Sequence, residues 1–466
     1  MKQRCATSAT EIENAKKKYM ILGTGRGQMP VGKTAGEAGW RASRYNLAAR
    51  IPDSEKIAVA NLFRGTCSVC SPIEMFLLDE VESLDEHHPI LDRFRERGLI
   101  VNFDELQALS AMARMGCAGG SHVSLTLCPT MGCNFDCPYC FENHRPGRMS
   151  PETQDDVAAL AERMLKASGA KRLSVTWFGG EPLLMPDIIE SLSARLMALA
   201  KQQGAEYGAT IVTNGYLLTR EIADMLDRCK VSNAQITLDG VGPQHDKTRH
   251  LAGGGPTYDR IVENLRTLRL PFSVSIRHNV HKGNMDQMAP LRDIVQALAK
   301  ESGNDLSYYA SPVTDNTVAQ ERNAGDSLCF SGDPGEVGRL QEVEDFRAAR
   351  NSFCGAHRLF SLGIDDHGRL YKCWEDVDKS DRSFGSAHTW DPVNPIATAD
   401  APDLLVRYLN SAMPLEDPEC IQCVFLPQCA GGCPTRRLFY QKNACLEARN
   451  TPERFVLGLY ELLRSK

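Results

Sequence analysis

Short apolar runs alternate with amphipathic stretches along residues 121–313. Runs rich in β-branched and aromatic residues predict strands, whereas apolar residues spaced three or four apart predict helices. Because strands and helices alternate, the pattern predicts an α/β fold with a parallel sheet and functional residues at the carboxyl ends of its strands. The predicted strands are 122–128, 172–178, 209–213, 234–238, 272–280 and 306–312, and the predicted helices are 151–168, 186–203, 219–229, 257–269 and 285–301.

A smaller module precedes this segment at residues 45–102. Residues 45–51 and 56–63 predict two strands joined by a turn, and Ser71 followed by proline predicts the N-cap of a helix. A second helix is predicted at 89–97. The apolar residues predicted to share one face of the first helix are Ile73, Phe76, Leu77 and Val81.

Composition excludes several classes of protein. The chain has 466 residues, 42% of them hydrophobic, which is enough for a sizeable core and two or three domains. The net charge of −6 and the lack of a basic block argue against a nucleic-acid partner. No apolar run approaches the roughly 20 residues that cross a bilayer, and the N-terminus shows no secretory pattern. We therefore expect a cytoplasmic protein with no membrane or nucleic-acid partner.

The 17 cysteines are numerous for a cytoplasmic protein. Their short C-x2-C spacings favour metal or cluster ligation over disulfides. Cys67 and Cys70 form one such pair in the turn before the first helix. Because two thiols alone make an incomplete metal site, we predict no bound metal there.

Residues 27–34 fit the phosphate-binding pattern G-x4-G-K-[ST]. A working phosphate loop stands between a buried strand and a long helix. Here the following stretch is short and broken by glycines, which leaves no room for a nucleotide-binding domain. We interpret residues 1–40 as a flexible arm.

The strongest signal is Cys133-x3-Cys137-x2-Cys140, which follows the first predicted strand of the parallel sheet. Three thiolates cap three of the four irons of a cubane cluster, so one iron stays open for an external ligand. With Tyr139 before the third cysteine, the motif resembles that of the radical S-adenosylmethionine (SAM) superfamily. The resemblance implies that SAM binds the open iron of this catalytic cluster and that its reductive cleavage gives a 5′-deoxyadenosyl radical, which abstracts hydrogen from a substrate. A zinc site is the alternative interpretation.

The same resemblance implies roles for motifs at the next two strand ends. Gly179-Gly180-Glu181-Pro182 ends the second strand and is similar to the GGEP motif of the family. There the glycines admit the methionyl group of SAM, and the carboxylate binds its ammonium. Thr213 and Asn214 end the third strand, where they either lie near SAM or simply form a turn.

Further polar residues end the fourth and fifth strands. The block L-D-G-x4-H-D-x2-R, which ends at Arg249, resembles one common in peptide-modifying members of the family. His245 in this block either lines the substrate cavity or is a loop histidine with its own partners. Arg277 and Asn279 share one face of the fifth strand, and we expect them to contact SAM or the substrate.

A second set of cysteines near the C-terminus resembles the SPASM domain, which carries two auxiliary 4Fe–4S clusters in this family. Two zinc sites are the alternative. The resemblance implies an outer cluster with four ligands and an inner cluster with three, for which Cys329 is the candidate fourth. If Cys329 binds, both clusters are closed and accept electrons; if it does not, an open iron binds a substrate thiolate. The outer ligands are Cys420, Cys423, Cys429 and Cys445, and the inner ligands are Cys354, Cys373 and Cys433.

The module at 45–102 resembles a recognition element for RiPPs, which are ribosomally made and then modified peptides. Such winged-helix-like elements bind the leader segment of a precursor peptide as an added strand. A purely structural role is the alternative. The resulting fold class is α/β, a partial (β/α)6 TIM-like barrel between a recognition element and an iron–sulfur SPASM domain. The predicted domains are a flexible arm (1–40), the recognition element (41–115), the radical SAM barrel (116–313), a connecting region (314–350), the SPASM domain (351–450) and a C-terminal helix (451–466).

The combined resemblances imply a radical SAM peptide maturase with SAM and three 4Fe–4S clusters, reduced by a protein such as flavodoxin or ferredoxin. The expected product is a thioether between a cysteine sulfur and a carbon of the precursor peptide. Carbon–carbon or carbon–oxygen cross-linking and sulfatase-type formylglycine formation are alternatives within the family. A non-enzymatic electron-transfer protein is an alternative outside it, although such a carrier has no use for a SAM-binding Glu181.

Overall fold

The computed structural model describes residues 39–118, 120–281, 283–313, 346, 353–440 and 445–464. The phosphate-loop pattern at 27–34 and Cys329 lie outside these ranges. Within the described ranges, no helix is long and apolar enough to cross a membrane.

Strands and helices alternate through the middle of the chain, as the sequence predicts. The strands are β1 (Arg41–Ala42), β2 (Asn46–Arg50), β3 (Ile57–Asn61), β4 (Thr66–Cys70), β5 (Ile100–Val101), β6 (His122–Leu127), β7 (Arg172–Trp177), β8 (Glu206–Thr213), β9 (Val231–Thr237), β10 (Ser273–Val280), β11 (Leu306–Pro312), β12 (Ser361–Ile364), β13 (Arg369–Tyr371) and β14 (Gly385–Ser386). The α-helices are α1 (Pro72–Asp79), α2 (Ile90–Glu96), α3 (Glu105–Ala118), α4 (Pro151–Ser168), α5 (Pro186–Gln202), α6 (Arg220–Arg228), α7 (Pro243–Asp246), α8 (Tyr258–Thr267), α9 (Met288–Ser302), α10 (Pro402–Asn410), α11 (Pro418–Gln422), α12 (Leu426–Cys429), α13 (Pro434–Phe439) and α14 (Pro452–Arg464). Short 3-10 helices occupy Val81–Ser83, Pro182–Leu184, Met285–Gln287, Gly355–His357, Trp374–Asp376, Ser380–Arg382 and Glu447–Arg449.

One sheet contains nine strands in the order β11-β10-β9-β8-β7-β6-β12-β13-β14. Strands β6 to β11 run parallel, which confirms the six predicted strands. Strand β12 adds to β6 in parallel, and β13 and β14 follow in antiparallel order. The last three were not predicted because β13 and β14 are shorter than the runs of 4 to 8 residues that the alternation pattern detects, and β12, with four residues, lies at its lower limit.

The parallel sheet and its helices enclose the largest core. Val123, Leu125 and Leu127 alternate with partly exposed residues along β6 and are buried. Ser150 caps α4 by accepting a hydrogen bond from the Thr153 N–H at 3.1 Å. This cap sets where the cluster loop, residues 128–150 between β6 and α4, ends.

The N-terminal module is built around a three-stranded antiparallel sheet, β2-β3-β4. One face of this sheet carries Leu47 and Ala60 and packs with Phe455 of α14. The opposite face carries Val59 and packs with Phe94 of α2. The sheet is therefore the middle layer of this region.

Two predictions for the module are wrong in detail. Ile73 is 56% exposed, and the residues that α1 buries are Met75 and Leu78. Cys67 and Cys70 lie in strand β4 rather than in a turn. Their side chains pack into different hydrophobic clusters, so they act as small apolar residues on opposite faces, consistent with the prediction of no metal.

The described residues fall into two compact units. The first unit contains those within 1–117, 338–353 and 411–466, and the second contains those within 118–337 and 354–410. The segment predicted as SPASM is thus divided, and its last part shares a unit with the N-terminal module.

Candidate active site

A cavity of about 250 Å³ lies at the carboxyl ends of the parallel strands. Cys133, Cys137 and Cys140 all line it. Residues from the ends of β7 to β11 and from the segment after β13 complete its wall. The motif cysteines therefore face the place where a parallel α/β fold carries its chemistry.

The backbone of the cluster loop is held by hydrogen bonds. The Asp136 N–H donates to the carbonyl of His250 at 3.1 Å. Within the loop, the Phe135 N–H donates to Cys133 Sγ at 3.4 Å. Cys137 is buried, whereas Cys133 and Cys140 are half-buried.

The three thiols fit an iron–sulfur cluster with one open iron. Burial raises the pKa of the Cys133 thiol well above its usual range, and the carboxylate of Glu181 adds to this rise. The thiolate form is therefore favoured by a bound cation, which the iron of such a cluster would supply. Cys140 Sγ also lies 3.3 Å from His144 Nε2, a ring nitrogen able to donate to a thiolate.

Gly179 and Gly180 lie against the start of the cluster loop. Gly179 has φ 114°, and a Cβ added there would lie 2.4 Å from the carbonyl oxygen of Thr130. A Cβ on Gly180 would lie 2.2 Å from the carbonyl oxygen of Gly132. Neither position tolerates a side chain. The sequence assigned these glycines to the approach of SAM, and the structure shows that the cluster loop requires them as well.

The carboxylate of Glu181 is fully buried and accepts three hydrogen bonds from the protein. The donors are the Thr213 hydroxyl at 2.7 Å, the Asn214 N–H at 2.7 Å and the Leu183 N–H at 2.9 Å. Burial raises the pKa of Glu181, and the hydrogen bonds oppose this rise. An ionised carboxylate has about four acceptor positions, so about one remains for an ammonium group. Pro182 begins the 3-10 helix that supplies the Leu183 donor.

A buried network that the sequence did not predict fixes Tyr139. Its hydroxyl donates to the carboxylate of Asp239 and accepts from Arg249 Nη1 at 2.9 Å. The Asn279 side chain adds a hydrogen bond to the same hydroxyl at 3.3 Å. Arg249 also lies over the Phe135 ring, with 5.7 Å between the guanidinium carbon and the ring centroid. The block after β9 thus positions the cluster loop.

The other polar residues predicted for the site differ in whether they line the cavity. Arg277 and Asn279 line the cavity and contact each other, with Arg277 Nε donating to Asn279 Oδ1 at 2.8 Å. His245 is fully buried and does not line it. Its Nδ1 accepts from the Asp239 N–H at 3.1 Å, and its Nε2 lies 3.1 Å from the Thr257 hydroxyl. His245 is therefore the loop histidine with its own partners.

Residues 127–293 match the Radical SAM superfamily. These residues form a radical SAM domain. The domain begins at the end of β6 and includes the cluster loop, the GGEP segment and the block that contains Arg249. The protein is accordingly an enzyme.

The radical SAM domain also has relatives of known activity. The chain is 28% identical to the AdoMet-dependent heme synthase of Methanosarcina barkeri over 186 residues, which are 37% of this chain and 46% of that protein. The chain thus spans about half the length of that relative.

Two solved structures share the fold. One is native anSMEcpe with bound AdoMet and Cp18Cys peptide, which is 18% identical with a TM-score of 0.51 over 72% of this chain and 96% of that one. The other is Streptococcus suis SuiB bound to precursor peptide SuiA, which is 15% identical with a TM-score of 0.50 over 87% of this chain and 98% of that one. Identities this low show a common architecture alone.

An acid and an aromatic stack in the cavity wall were also missed by the sequence interpretation. Burial raises the pKa of Glu142 to about 8, and the nearby Asp378 adds to the rise. Phe178 stacks on Phe141 at a centroid distance of 6.3 Å and on Trp374 at 5.5 Å. Trp374 is 44% exposed and follows Cys373 directly. Single aromatic residues spread over the chain give no sequence signal for such a stack.

The outer set of cysteines lies within the first unit. Burial raises the pKa of the Cys429 thiol to about 11, and the electrostatic neighbours that raise it further are Cys445, Cys423 and Cys420. The four predicted ligands are thus close enough to influence one another. Four thiols, three of them within electrostatic range of Cys429, would be a fitting donor set for a closed cluster.

The inner set is divided between the two units. Cys354 is exposed and precedes a 3-10 helix, and Cys373 follows β13. Cys433 belongs to the first unit, where it directly precedes α13. The inner ligand set stays a prediction, as does Cys329, which lies outside the described residues.

Proposed function

We propose that this protein is a radical SAM maturase that forms a thioether in a ribosomally made precursor peptide. The observation that carries the proposal is the cavity at the strand ends, which collects the three motif cysteines and the GGEP glycines. Cys133, Cys137 and Cys140 would hold the catalytic cluster. Bound together, cluster and SAM supply a 5′-deoxyadenosyl radical for hydrogen abstraction.

The SAM-binding residues are proposed from the same wall. Gly180, Asn214 and Arg277 line the cavity, and Glu181 lies behind it with about one acceptor position left. Thr213 and Asn214 hold the Glu181 carboxylate in place and so orient it. A charge-assisted hydrogen bond from the SAM ammonium would complete the coordination of this carboxylate.

A peptide substrate is supported by the N-terminal sheet. Strand β4 pairs with β3 on one side, and no described strand pairs with its other edge. An edge strand offers unpaired backbone groups to an added peptide strand. The structural neighbours are named with bound peptides, Cp18Cys and SuiA. A leader segment is therefore the ligand we propose for the module.

Thioether formation removes two hydrogens from the peptide. One leaves as the hydrogen atom transferred to the deoxyadenosyl radical, and the other leaves as the proton of the cysteine thiol. As the carbon–sulfur bond closes, one electron must pass to an acceptor. The auxiliary clusters proposed at the outer and inner cysteines would supply that acceptor. With the catalytic cluster they make three clusters in all. A flavodoxin or ferredoxin would reduce the catalytic cluster.

The test is anaerobic co-expression with a cysteine-bearing peptide encoded beside this gene, followed by mass spectrometry before and after thiol alkylation. Loss of two hydrogens together with a thiol that no longer alkylates is the expected result. The same loss with every thiol free would replace the thioether by a carbon–carbon or carbon–oxygen link. Conversion of a cysteine or serine to formylglycine would replace it by the sulfatase-type reaction.

A further inference from the structure

Two arginine side chains in the first unit donate hydrogen bonds to sulfur atoms of the outer cysteines. Arg437 Nη1 lies 3.4 Å from Cys420 Sγ. Arg449 Nη1 lies 3.1 Å from Cys445 Sγ. Two of the four proposed ligands of one cluster therefore each have their own guanidinium donor.

Each arginine is held by a carboxylate. Arg437 Nη2 donates to Asp417 Oδ2 at 2.9 Å, and Arg449 Nη2 donates to Glu419 Oε2 at 3.4 Å. Asp417 also caps α11, since its other oxygen accepts from the Cys420 N–H at 3.3 Å. Asp417 thus holds both Arg437, which donates the hydrogen bond, and Cys420, whose sulfur accepts it. The contact between Arg437 and Cys420 is therefore part of a closed ring of hydrogen bonds.

A donor at a cluster ligand has a definite electrostatic effect. A cluster becomes more negative when it gains an electron, so nearby positive charge and N–H groups at its sulfurs stabilise the reduced state more than the oxidised one. Such donors raise the reduction potential of the cluster. A cluster with a higher reduction potential accepts an electron from a substrate radical more readily.

We propose that Arg437 and Arg449 raise the reduction potential of the auxiliary cluster bound by Cys420, Cys423, Cys429 and Cys445. This inference rests on the proposed function, which places a cluster there. The Arg437 side chain is 16% exposed and that of Arg449 is 39% exposed. Because solvent screens the more exposed charge, Arg437 contributes the larger share.

The test measures the potential directly. A variant with Cys133, Cys137 and Cys140 replaced by alanine removes the catalytic cluster and leaves the auxiliary signals for redox titration by electron paramagnetic resonance. In this background, Arg437→Gln should lower the ratio of reduced to oxidised cluster roughly tenfold at a fixed potential, or about 59 mV for one electron. Arg449→Gln should lower it about threefold.

The matched control is Arg436→Gln, which removes the same charge from the same helix, α13. For Arg436, the described structure gives no hydrogen bond to a cysteine sulfur, and we expect a ratio within about twofold of the parent. Equal shifts in Arg436→Gln and Arg437→Gln would overturn the inference, because general charge would then explain both. Should Arg437→Gln lose the signal, Arg449→Gln tests the inference by itself, and a ratio of reduced to oxidised cluster unchanged from the parent would overturn it.

A further control distinguishes failure of the proposed function from failure of this inference. Cys420→Ala with Cys423→Ala should lower the iron content by about four per chain and remove the signal that Arg437→Gln shifts. Unchanged iron in that control would show that no cluster is bound there, which overturns the proposed cofactor as well as this inference. Iron loss in the control with no shift in Arg437→Gln would overturn the inference alone.

Discussion

The two sets of cysteines are held in place by different means. The cluster loop is fixed by a network of three buried residues, Tyr139, Asp239 and Arg249, of which Tyr139 and Arg249 line the cavity. The described part of the C-terminal cysteine segment, residues 417–440 and 445–449, contains helices of 5, 4 and 6 residues, α11 to α13. Its ion pair between Asp417 and Arg437 is partly open to solvent.

This difference indicates which of the two sites the fold positions before a cluster is bound. Charges removed from water interact strongly and are costly to leave unpaired, so this network holds the cluster loop firmly against the parallel sheet. Helices of about one turn have little stability of their own. We therefore expect the C-terminal cysteine segment to depend on its cluster for order, whereas the cluster loop does not.

The largest expected effect breaks the buried network. Asp239→Asn removes the carboxylate that faces Arg249 and Tyr139, and we expect a loss of about 3–5 kcal/mol in the free energy of unfolding because a buried charge stays uncompensated. Asp417→Asn, its counterpart in the C-terminal cysteine segment, should cost about 1 kcal/mol or less. Denaturant titrations of both variants measure the two costs, and equal costs would contradict the contrast.

The next effect concerns the glycine contact with the cluster loop. Gly180→Ala places a Cβ against the carbonyl of Gly132 and should displace the loop, with about 100-fold or greater loss of SAM cleavage. Gly253→Ala is the control, because a Cβ there meets nothing within 4 Å. Deoxyadenosine production measures both variants. Activity of Gly180→Ala within twofold of the parent would show that the loop does not need this contact.

Acid should destabilise the parallel-sheet region through its buried histidines. Burial lowers the pKa of His278 to about 4, below its ordinary value near 6.5. The unfolded chain therefore binds a proton that the folded chain refuses, so stability is full above pH 6.5 and falls as the pH drops towards 4. At pH 5 the loss from His278 is about 2 kcal/mol.

His278→Phe should flatten this acid slope in thermal unfolding. His388→Gln, which replaces an exposed histidine, should keep the slope of the parent. An unchanged slope in His278→Phe would show that this ring is not the source of the acid sensitivity.

The smallest expected effect appears on iron removal. Backbone amides of the C-terminal cysteine segment should exchange about tenfold faster in iron-free protein, because cluster binding and local order are coupled. Amides of β6 to β10 should change little. Hydrogen exchange read by mass spectrometry compares the two regions in one experiment, and equal protection in both states would contradict the expected dependence on the cluster.

Much of the parallel sheet and its helices was predictable because their sequence signals are local. Ser150 before a proline predicts the start of α4, and the alternation of Val123, Leu125 and Leu127 predicts β6. The motif cysteines follow that strand in sequence, so their place at the cavity could also be anticipated. Ile73 shows the limit, since an apolar residue at helical spacing still faces solvent where the neighbouring layer does not cover it.

The network under Tyr139 could not be predicted from local patterns. Tyr139 lies 100 residues from Asp239 and 110 from Arg249, and only the order of the parallel strands brings them together. The same holds for the contact of Gly180 with the cluster loop. The donors at Cys420 and Cys445 depend on side-chain directions within helices of one turn, which periodicity does not resolve.

The most direct test of the account compares SAM cleavage in variants of the two cysteine sets. The protein is reconstituted anaerobically with iron and sulfide, and 5′-deoxyadenosine is measured after addition of SAM and a chemical reductant. We predict that replacing Cys133, Cys137 and Cys140 by alanine abolishes production, and that replacing Cys420 and Cys423 leaves it measurable. Production that persists without the first three cysteines would contradict the assignment of the catalytic cluster and, with it, the proposed function.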